Sequence, residues 1–343
     1  MKKIMTSLLL VILSMTLFAC NGTGTETNRT KNENKEVHQK NQEESLTFPN
    51  KNIQIIVPFS PGGGTDLVAR AIADTSKKYF NKPVVVVNKT GAGGAVGIAE
   101  GIQAKPDGYT VTMITTEVIT LENLGLSPFK YKDYQPVLQI NEDPAALTVK
   151  ADAPYDTVKE FIEYAKKNPG KVKVGNSGTG AIWHFAAEAI ENETGIKFKH
   201  IPFDGAAPAT VALLGAQIDA VTVSPGEVLP HVKNGKLKVL GVLSPERIES
   251  LPNVPTFEEQ GYDISMSTWR GLGVSKETPP EILEILEDKF TKTALDPDFK
   301  EVMNQLGLGY KVSDANAFEK LIQESDVLFK NLIQELNFEK RTR

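Results

Sequence analysis

The residues best placed to bind a ligand form a glycine-rich stretch near residue 60. Ser60, Thr65 and Asp66 flank one proline and three glycines at 61–64, directly after the apolar run 53–57. The glycines permit a sharp turn, and Thr65 or Asp66 can cap the helix that follows. Backbone N–H groups at such a helix start carry partial positive charge, which suits a carboxylate or a phosphate. Taken alone, the stretch also fits a tight turn that binds nothing.

Two later segments repeat the pattern of a strand, a glycine loop and a helix. The apolar run 83–87 precedes a loop at 91–94, and the run 172–174 precedes a loop at 175–180. This alternation predicts an α/β fold in which a mostly parallel sheet is flanked by helices. Ligands of such sheets bind beyond the carboxyl ends of the strands, so the loops predict a shared cleft.

The length of the folded part predicts two lobes, because the chain is too long for one small core. We place lobe 1 at 51–148 and 268–343, and lobe 2 at 149–267. The chain then crosses between the lobes twice, near 149 and near 268. Two crossings of this kind form a hinge.

The N-terminal residues predict export and a lipid anchor. A basic start and a short apolar core at 4–19 are typical of a signal peptide, and Cys20 is the single cysteine of the chain. The residues around Cys20 resemble a bacterial lipobox, which predicts a lipoprotein signal peptide at 1–20 and lipidation of Cys20. The polar segment at 21–50 lacks the apolar side chains needed to fold and predicts a disordered tether. The folded part is then expected on the outer face of the cytoplasmic membrane.

Composition and motifs exclude several classes of function. The formal net charge is −5 and no basic tract occurs, so nucleic acid is excluded as a partner. Thr179 stands where a nucleophile elbow requires its last glycine, and Val96 replaces the third glycine of a dinucleotide fingerprint. No P-loop sequence is present, and no spacing of cysteine or histidine predicts a metal site. We therefore expect no cofactor and no metal.

Two polar residues near the predicted cleft have alternative roles. His184 lies one turn into the helix after the 175–180 loop, where it either faces a ligand or bonds to the loop. Arg270 lies at the second crossing between the lobes, where it either pairs with a ligand or holds the hinge.

Three further residues are expected to shape or line the cleft. Asp66 fits an N-cap that orients Thr65, and Arg70 four residues later is expected to pair with Asp66. Ser224 directly follows a predicted strand at 218–223 and is a candidate contact in the cleft.

Over about residues 50–340, the chain resembles the extracytoplasmic solute receptors of the tripartite tricarboxylate transporter family, also called Bug receptors. The resemblance is carried by short segments in matching order: Val57-Pro58-Phe59-Ser60-Pro61-Gly62-Gly63-Gly64-Thr65-Asp66, Gly91-Ala92-Gly93-Gly94, Pro106-Asp107-Gly108-Tyr109, Gly178-Thr179-Gly180 with His184, Gly205-Ala206-Ala207-Pro208, and Leu251-Pro252-Asn253-Val254-Pro255. The family implies a type II periplasmic-binding-protein fold, with two α/β lobes that close on a ligand. It also implies an integral membrane permease of a large and a small subunit.

The resemblance implies that a small carboxylate is held mainly by main-chain amides and hydroxyls of facing loops. The expected ligand contacts are Phe59, Ser60, Gly63, Gly64, Thr65, Asp66, Ser177, Gly178, Thr179, Gly180, His184, Gly205, Ala206 and Ser224. Two positions depart from many relatives: Asp204 replaces a basic or polar residue, and Val223 replaces an aspartate. Both alter the side of the cleft that faces the far end of the ligand.

The leading interpretation is a membrane-tethered receptor, not an enzyme, that captures a di- or tricarboxylate and delivers it to the permease. A sensory receptor that presents its closed form to a signalling partner has the same sequence features. A hydrolase or transferase that uses Ser177 and His184 is the second alternative.

Overall fold

The computed structural model describes residues 48–336 and 338. The predicted signal peptide, Cys20 and nearly all of the predicted tether lie outside the described residues. Among the helices that are described, none combines the length and apolar character required to cross a membrane.

Strands and helices alternate along most of the described chain. The strands are β1 (Ile53–Val57), β2 (Val84–Asn88), β3 (Thr110–Thr115), β4 (Tyr134–Lys150), β5 (Lys173–Asn176), β6 (Lys199–Pro202), β7 (Ala220–Val223), β8 (Leu237–Leu243), β9 (Ser267–Ser275) and β10 (Ser313–Asp314). The helices are α1 (Gly64–Thr75), α2 (Ala95–Ile102), α3 (Glu117–Asn123), α4 (Val158–Lys167), α5 (Ile182–Thr194), α6 (Ala206–Leu214), α7 (Pro225–Lys233), α8 (Pro280–Ala294), α9 (Pro297–Leu306) and α10 (Ala315–Glu335).

Two sheets share one long strand. The first sheet contains β1, β2 and β3 in parallel, with β9 and the first part of β4 antiparallel to their neighbours. The second contains β5 parallel to β6 and β7, with the last part of β4 antiparallel to β7 and β8. Since β4 belongs to both, the strand order runs β2-β1-β3-β9-β4-β7-β5-β6. This is the α/β architecture that the sequence predicts.

The chain passes between the sheets at two adjacent places. Pro144 of β4 is the last partner of β9, where it pairs with Ser267, and the next residue, Ala145, pairs with Leu243 of the second sheet. The Ala145 N–H donates to the Met266 carbonyl at 2.8 Å. Both connections are therefore side by side, as a two-crossing hinge requires. The lobe boundaries at 148 and 268 stay a prediction.

Strand β1 is largely apolar and packs against helices α1 and α2. In β1, Ile53, Ile55, Ile56 and Val57 are all buried, which is typical of a parallel strand between helical layers. On the other side of the molecule, α10 packs against α3 and β4. Aromatic contacts extend this packing to α5, where Phe185 stacks on Phe338 with ring centroids 4.3 Å apart. The helix starts that face the cleft are thus fixed by buried contacts behind them.

Candidate functional site

The turn after β1 meets the turn before α6. Ser60 donates both its backbone N–H and its hydroxyl to the Asp204 carbonyl, at 3.0 and 2.7 Å. Gly205 adopts φ +127°, and a Cβ there would lie 3.3 Å from the Phe59 Cβ. Because Ser60 follows a strand of the first sheet and Asp204 follows β6 of the second, these contacts cross the cleft.

The other two glycine loops also touch each other. A Cβ on Gly178 would lie 2.7 Å from the Gly93 Cα, and one on Gly93 would lie 2.9 Å from the Thr179 carbonyl oxygen. Gly178 has φ +128°, a conformation that favours glycine. The structure therefore brings together the loops that the sequence predicts to share a cleft.

A small, partly enclosed cavity lies between these turns. Its volume is about 20 Å³, which is room for about one water molecule. It is lined by Phe59, Gly63, Gly64, Thr65, Glu117, Ser177, Ile182, Trp183, Ala206, Glu227, Thr268 and Arg270. The Ser177 hydroxyl is buried and has no hydrogen-bond partner in the described part of the chain. A wider opening of about 680 Å³ lies beside it, with Ser60, Gly93, Gly178, Thr179 and Asp204 in its wall.

The amide of Gly64 at the start of α1 binds a carboxylate of the protein itself. Glu227 Oε1 accepts the Gly64 N–H at 2.6 Å, and Oε2 accepts the Ser224 N–H at 2.8 Å. Gly64 begins the helix that follows β1 of the first sheet, whereas Glu227 lies on α7, which follows β7 of the second sheet. Desolvation raises the pKa of Glu227, and the nearby Arg270 guanidinium opposes this shift. A carboxyl oxygen of the protein itself thus already occupies one of the predicted ligand contacts.

Glu117 makes a similar contact in the opposite direction across the cleft, at the start of α5. Its Oε1 accepts the Ile182 N–H at 3.0 Å, and its Oε2 accepts the hydroxyl of Thr115. The side chain is buried, and burial raises the pKa of Glu117. Each side of the cleft therefore supplies a glutamate to a helix N-terminus on the other side.

Arg270 is the buried cation of this cluster. Its Nε donates to Thr65 Oγ1 at 3.1 Å, and its Nη1 donates to the side-chain oxygens of Asn141 and Asp143. Asp143 also accepts the Gly309 N–H at 2.7 Å. Arg270 therefore lines the cavity while its charge is paired within the protein, so it connects α1, β4 and β9 at the hinge.

The sequence matches the family model of the tripartite tricarboxylate transporter family receptor over residues 68–338. The chain belongs to this family of solute-binding receptors. It is 35% identical to the protein BugT of Bordetella pertussis over 70% of this chain and 75% of that protein. A ligand-free TctC solute-binding protein from Polaromonas is 44% identical, with a TM-score of 0.62 over 84% of this chain and all of that one. The periplasmic binding protein BugD is 30% identical, with a TM-score of 0.81 over 85% of this chain and 99% of that one.

These comparisons confirm the predicted family and the two-lobe binding-protein fold. As a member of this family, the chain is an extracytoplasmic solute-binding receptor. The ligand contacts at individual residues stay a prediction.

In this receptor the buried Asp66 carboxylate stabilises the glycine turn at 60–66 by hydrogen bonds. It accepts the Gly62 N–H, Arg70 Nε and Asn88 Nδ2, each at 2.8 Å. Burial alone would raise the pKa of Asp66, but these hydrogen bonds hold it below its ordinary value. The pair with Arg70 is confirmed. The N-cap of α1 is Gly63, since the Asp66 carboxylate turns back to Gly62.

His184 holds the glycine turn at 175–180. Its Nδ1 accepts the Gly180 N–H at 3.2 Å, and burial lowers the pKa of His184 to about 3. The imidazole is therefore neutral, with its proton on Nε2. Within the described residues, the walls of the two cavities do not include His184. This geometry favours the loop-holding alternative.

His184 also belongs to a group of three side chains of a kind that can bind metals. Its ring, Glu188 and His200 place one potential ligand atom each within 4.8 Å of one another. However, the Gly180 N–H occupies Nδ1, so Nε2 keeps its proton and faces Glu188 Oε1 at 3.8 Å. A metal at Nε2 would require the imidazole proton to move to Nδ1. There it would face the Gly180 N–H, so the hydrogen bond from Gly180 would be lost. The hydrogen bond at Nδ1 therefore argues against a metal ion on His184.

Sequence reasoning missed the two glutamates of the cavity and left Arg270 undecided. The spacing of Ser224 and Glu227 is that of a capping box, which could have placed Glu227 at a helix start. No local pattern indicates that its carboxylate reaches Gly64, 163 residues away in the chain. Ser224, a predicted contact, is buried at the α7 N-cap.

Proposed function

We propose that this receptor binds a small carboxylate of the di- or tricarboxylate type between the facing glycine turns and delivers it to the large and small membrane subunits of a tripartite tricarboxylate transporter. The observation that carries the proposal is the carboxylate of Glu227 on the amide of Gly64, 2.6 Å apart. This contact supports the view that the start of α1 is shaped for a carboxylate.

The donors around the cavity support an affinity suited to uptake. Amides at the starts of α1 and α6 and the unpartnered Ser177 hydroxyl face the same space. A hydrogen bond to a charged group contributes about 1.5–3 kcal/mol. Several such bonds support micromolar binding once the cost of association is subtracted.

Binding requires the cleft to open, because a cavity of about 20 Å³ does not hold a dicarboxylate. The two adjacent passages of the chain at Pro144–Ala145 and Met266–Ser267 form the proposed hinge. Closure around the ligand would then join both sheets in one binding step. The closed shape is the form we propose the permease recognises.

Within residues 48–336 and 338, the hydroxyl of Ser177 has no hydrogen-bond partner, and His184 Nδ1 accepts the Gly180 N–H. Since His184 does not activate Ser177, this geometry supports a receptor and not a serine hydrolase.

We also propose that Cys20 carries the lipid that holds the receptor at the outer face of the cytoplasmic membrane. The test is the release of the Cys20→Ala protein from membranes, with mass spectrometry of the N-terminal peptide. An unmodified N-terminal peptide in the membrane-bound wild type would contradict the anchor.

The ligand proposal is tested by thermal shift on protein that has been unfolded and refolded to remove any bound metabolite. Succinate, malate and citrate are compared with their amides as uncharged controls. A rise in melting temperature that increases with the concentration of a carboxylate, and not of its amide, is the expected result. The absence of any such rise would overturn the proposed ligand class.

A further inference from the structure

The contact between Glu227 and Gly64 is separate from the capping of α7. Glu227 Oε2 alone satisfies the Ser224 N–H at the α7 N-terminus, whereas Oε1 crosses the cleft to Gly64. Glu160, at the same third position of α4, makes a local contact in which its carboxylate accepts the nearby Asp156 N–H at 2.7 Å. The second oxygen of Glu227 therefore does something that helix capping does not require.

Glu227 Oε1 occupies the place at the α1 N-terminus that an incoming anion would take. It lies within bonding distance of Gly64 N, and a Cβ on the preceding Gly63 would be 3.5 Å from it. A Cβ on Gly64 would meet both Glu227 Oε1 at 3.0 Å and Arg270 Nη2 at 2.9 Å. The carboxylate thus sits over the helix dipole and next to the buried cation.

Among the described residues that line this cavity, Arg270 is the one basic side chain. The charged side chains of the described residues that line this cavity are Glu117, Glu227 and Arg270, and Arg270 is paired with Asp143. A ligand carboxylate at Gly64 would face Glu227 at close range. The Gly64 N–H already donates to Glu227 Oε1 at 2.6 Å, which leaves no room for a second oxygen on the same donor, so Glu227 and the ligand compete for this amide.

We propose that Glu227 is an internal competitor of the ligand: its carboxylate closes the ligand-free receptor by occupying the α1 N-terminus, and it leaves Gly64 when the ligand carboxylate binds. This inference rests on the proposed carboxylate function. The closed ligand-free form reduces the fraction of receptor molecules that can bind ligand. The apparent affinity falls in proportion to that fraction. Glu227 therefore sets the ligand concentration at which the receptor fills.

The first test measures shape without any ligand. Small-angle scattering compares the refolded wild type with Glu227→Ala and Glu227→Asp; the aspartate keeps the charge and the cap but shortens the reach across the cleft. Glu160→Ala is the matched control, because it removes a capping glutamate that makes no contact across the cleft. We expect a larger radius of gyration in both Glu227 variants and no change in the control. Equal radii in all four proteins would overturn the proposal.

The second test measures affinity by titration calorimetry with the carboxylate that gives the largest thermal shift among succinate, malate and citrate. Removal of the competitor is expected to tighten binding about tenfold or more, since one hydrogen bond to a charged group is worth that factor. Weaker binding by Glu227→Ala would make Glu227 a ligand contact and overturn the proposal. If no carboxylate binds any variant, the proposed ligand class fails, while the scattering result still decides the role of Glu227. Glu227→Gln, which keeps the side-chain volume, replaces any variant that circular dichroism shows to be unfolded.

Discussion

Glu117 Oε1 lies 3.0 Å from the backbone nitrogen of Ile182 and accepts its hydrogen bond. This bond joins the first residue of α3 to the first residue of α5, so it links elements on opposite sides of the cleft. Thr120, one turn further along α3, donates its hydroxyl to the Gly180 carbonyl at 2.8 Å. Helix α3 therefore supports the glycine turn at 175–180 together with His184.

Replacement of Glu117 by alanine is expected to lower the free energy of unfolding by about 1–3 kcal/mol, because it leaves the buried Ile182 N–H without its acceptor. Urea denaturation at pH 7 measures the difference. Glu100→Ala is the control, since Glu100 is exposed and pairs with Lys89 at the surface, where such pairs contribute about 0–1 kcal/mol. A loss in Glu117→Ala no larger than in the control would mean that the bond to Ile182 does not support the turn.

Much of this site follows from local sequence. Strand β1 lies at the predicted residues 53–57, and the glycine loops face each other because each follows a parallel strand. Helix α3 was not predicted, since the stretch 110–121 is rich in β-branched residues that favour strands, and packing against α10 decides its form. The contacts of Glu117 and Glu227 join residues 65 and 163 positions apart. Only the folded chain brings these partners together, so their side-chain roles could not be predicted.

Ser177→Ala is expected to weaken carboxylate binding about tenfold without lowering stability. The Ser177 hydroxyl has no hydrogen-bond partner among the described residues, so its removal breaks no hydrogen bond seen in the ligand-free form. If it donates to the ligand, its loss removes one hydrogen bond to a charged group, worth about a factor of ten or more. Calorimetric titration and thermal unfolding of the same samples separate the two effects.

Thr210→Val is the matched control for this change. The Thr210 hydroxyl is also buried and has no hydrogen-bond partner among the residues that the structure describes. It lies on α6 and does not belong to the walls of the two cleft cavities. Equal affinity in wild type and Ser177→Ala would remove Ser177 from the ligand site.

Acid is expected to destabilise the receptor through His184. Burial, with a further contribution from the nearby His200, lowers the pKa of His184 to about 3, and Glu191 opposes the shift. The unfolded chain, in which a histidine has a pKa of about 6.5, then binds more protons than the folded chain between about pH 3 and 6.5. Stability from this group is complete above pH 6.5 and is lost at about 1.4 kcal/mol per pH unit below it.

The measurement compares urea unfolding at pH 7 and pH 5 for the wild type and His184→Asn, whose side-chain oxygen can accept the Gly180 N–H. Over this interval the wild type is expected to lose about 2 kcal/mol more than the variant. His231→Asn, on the partly exposed last turn of α7, is the control. A difference of the same size in the control would assign the effect to another group.

The contact between Gly178 and Gly93 makes closure sensitive to a single methyl group. A Cβ on Gly178 would lie 2.7 Å from the Gly93 Cα, and the residue has φ +128°. Gly178→Ala is therefore expected to hold the glycine turn at 175–180 away from the loop at 91–94. We expect a larger radius of gyration in small-angle scattering and at least a tenfold loss of carboxylate affinity, since part of the binding free energy must then overcome the clash.

Gly195→Ala separates this clash from the cost of the backbone conformation. Gly195 has φ +70°, and a Cβ there would meet nothing within 4 Å. We expect this control to lose stability by about 1 kcal/mol, the cost of a left-handed conformation for alanine, and to close and bind like the wild type. Gly178→Ala protein that closes and binds as tightly as the control would show that the two glycine turns do not meet when the ligand is held.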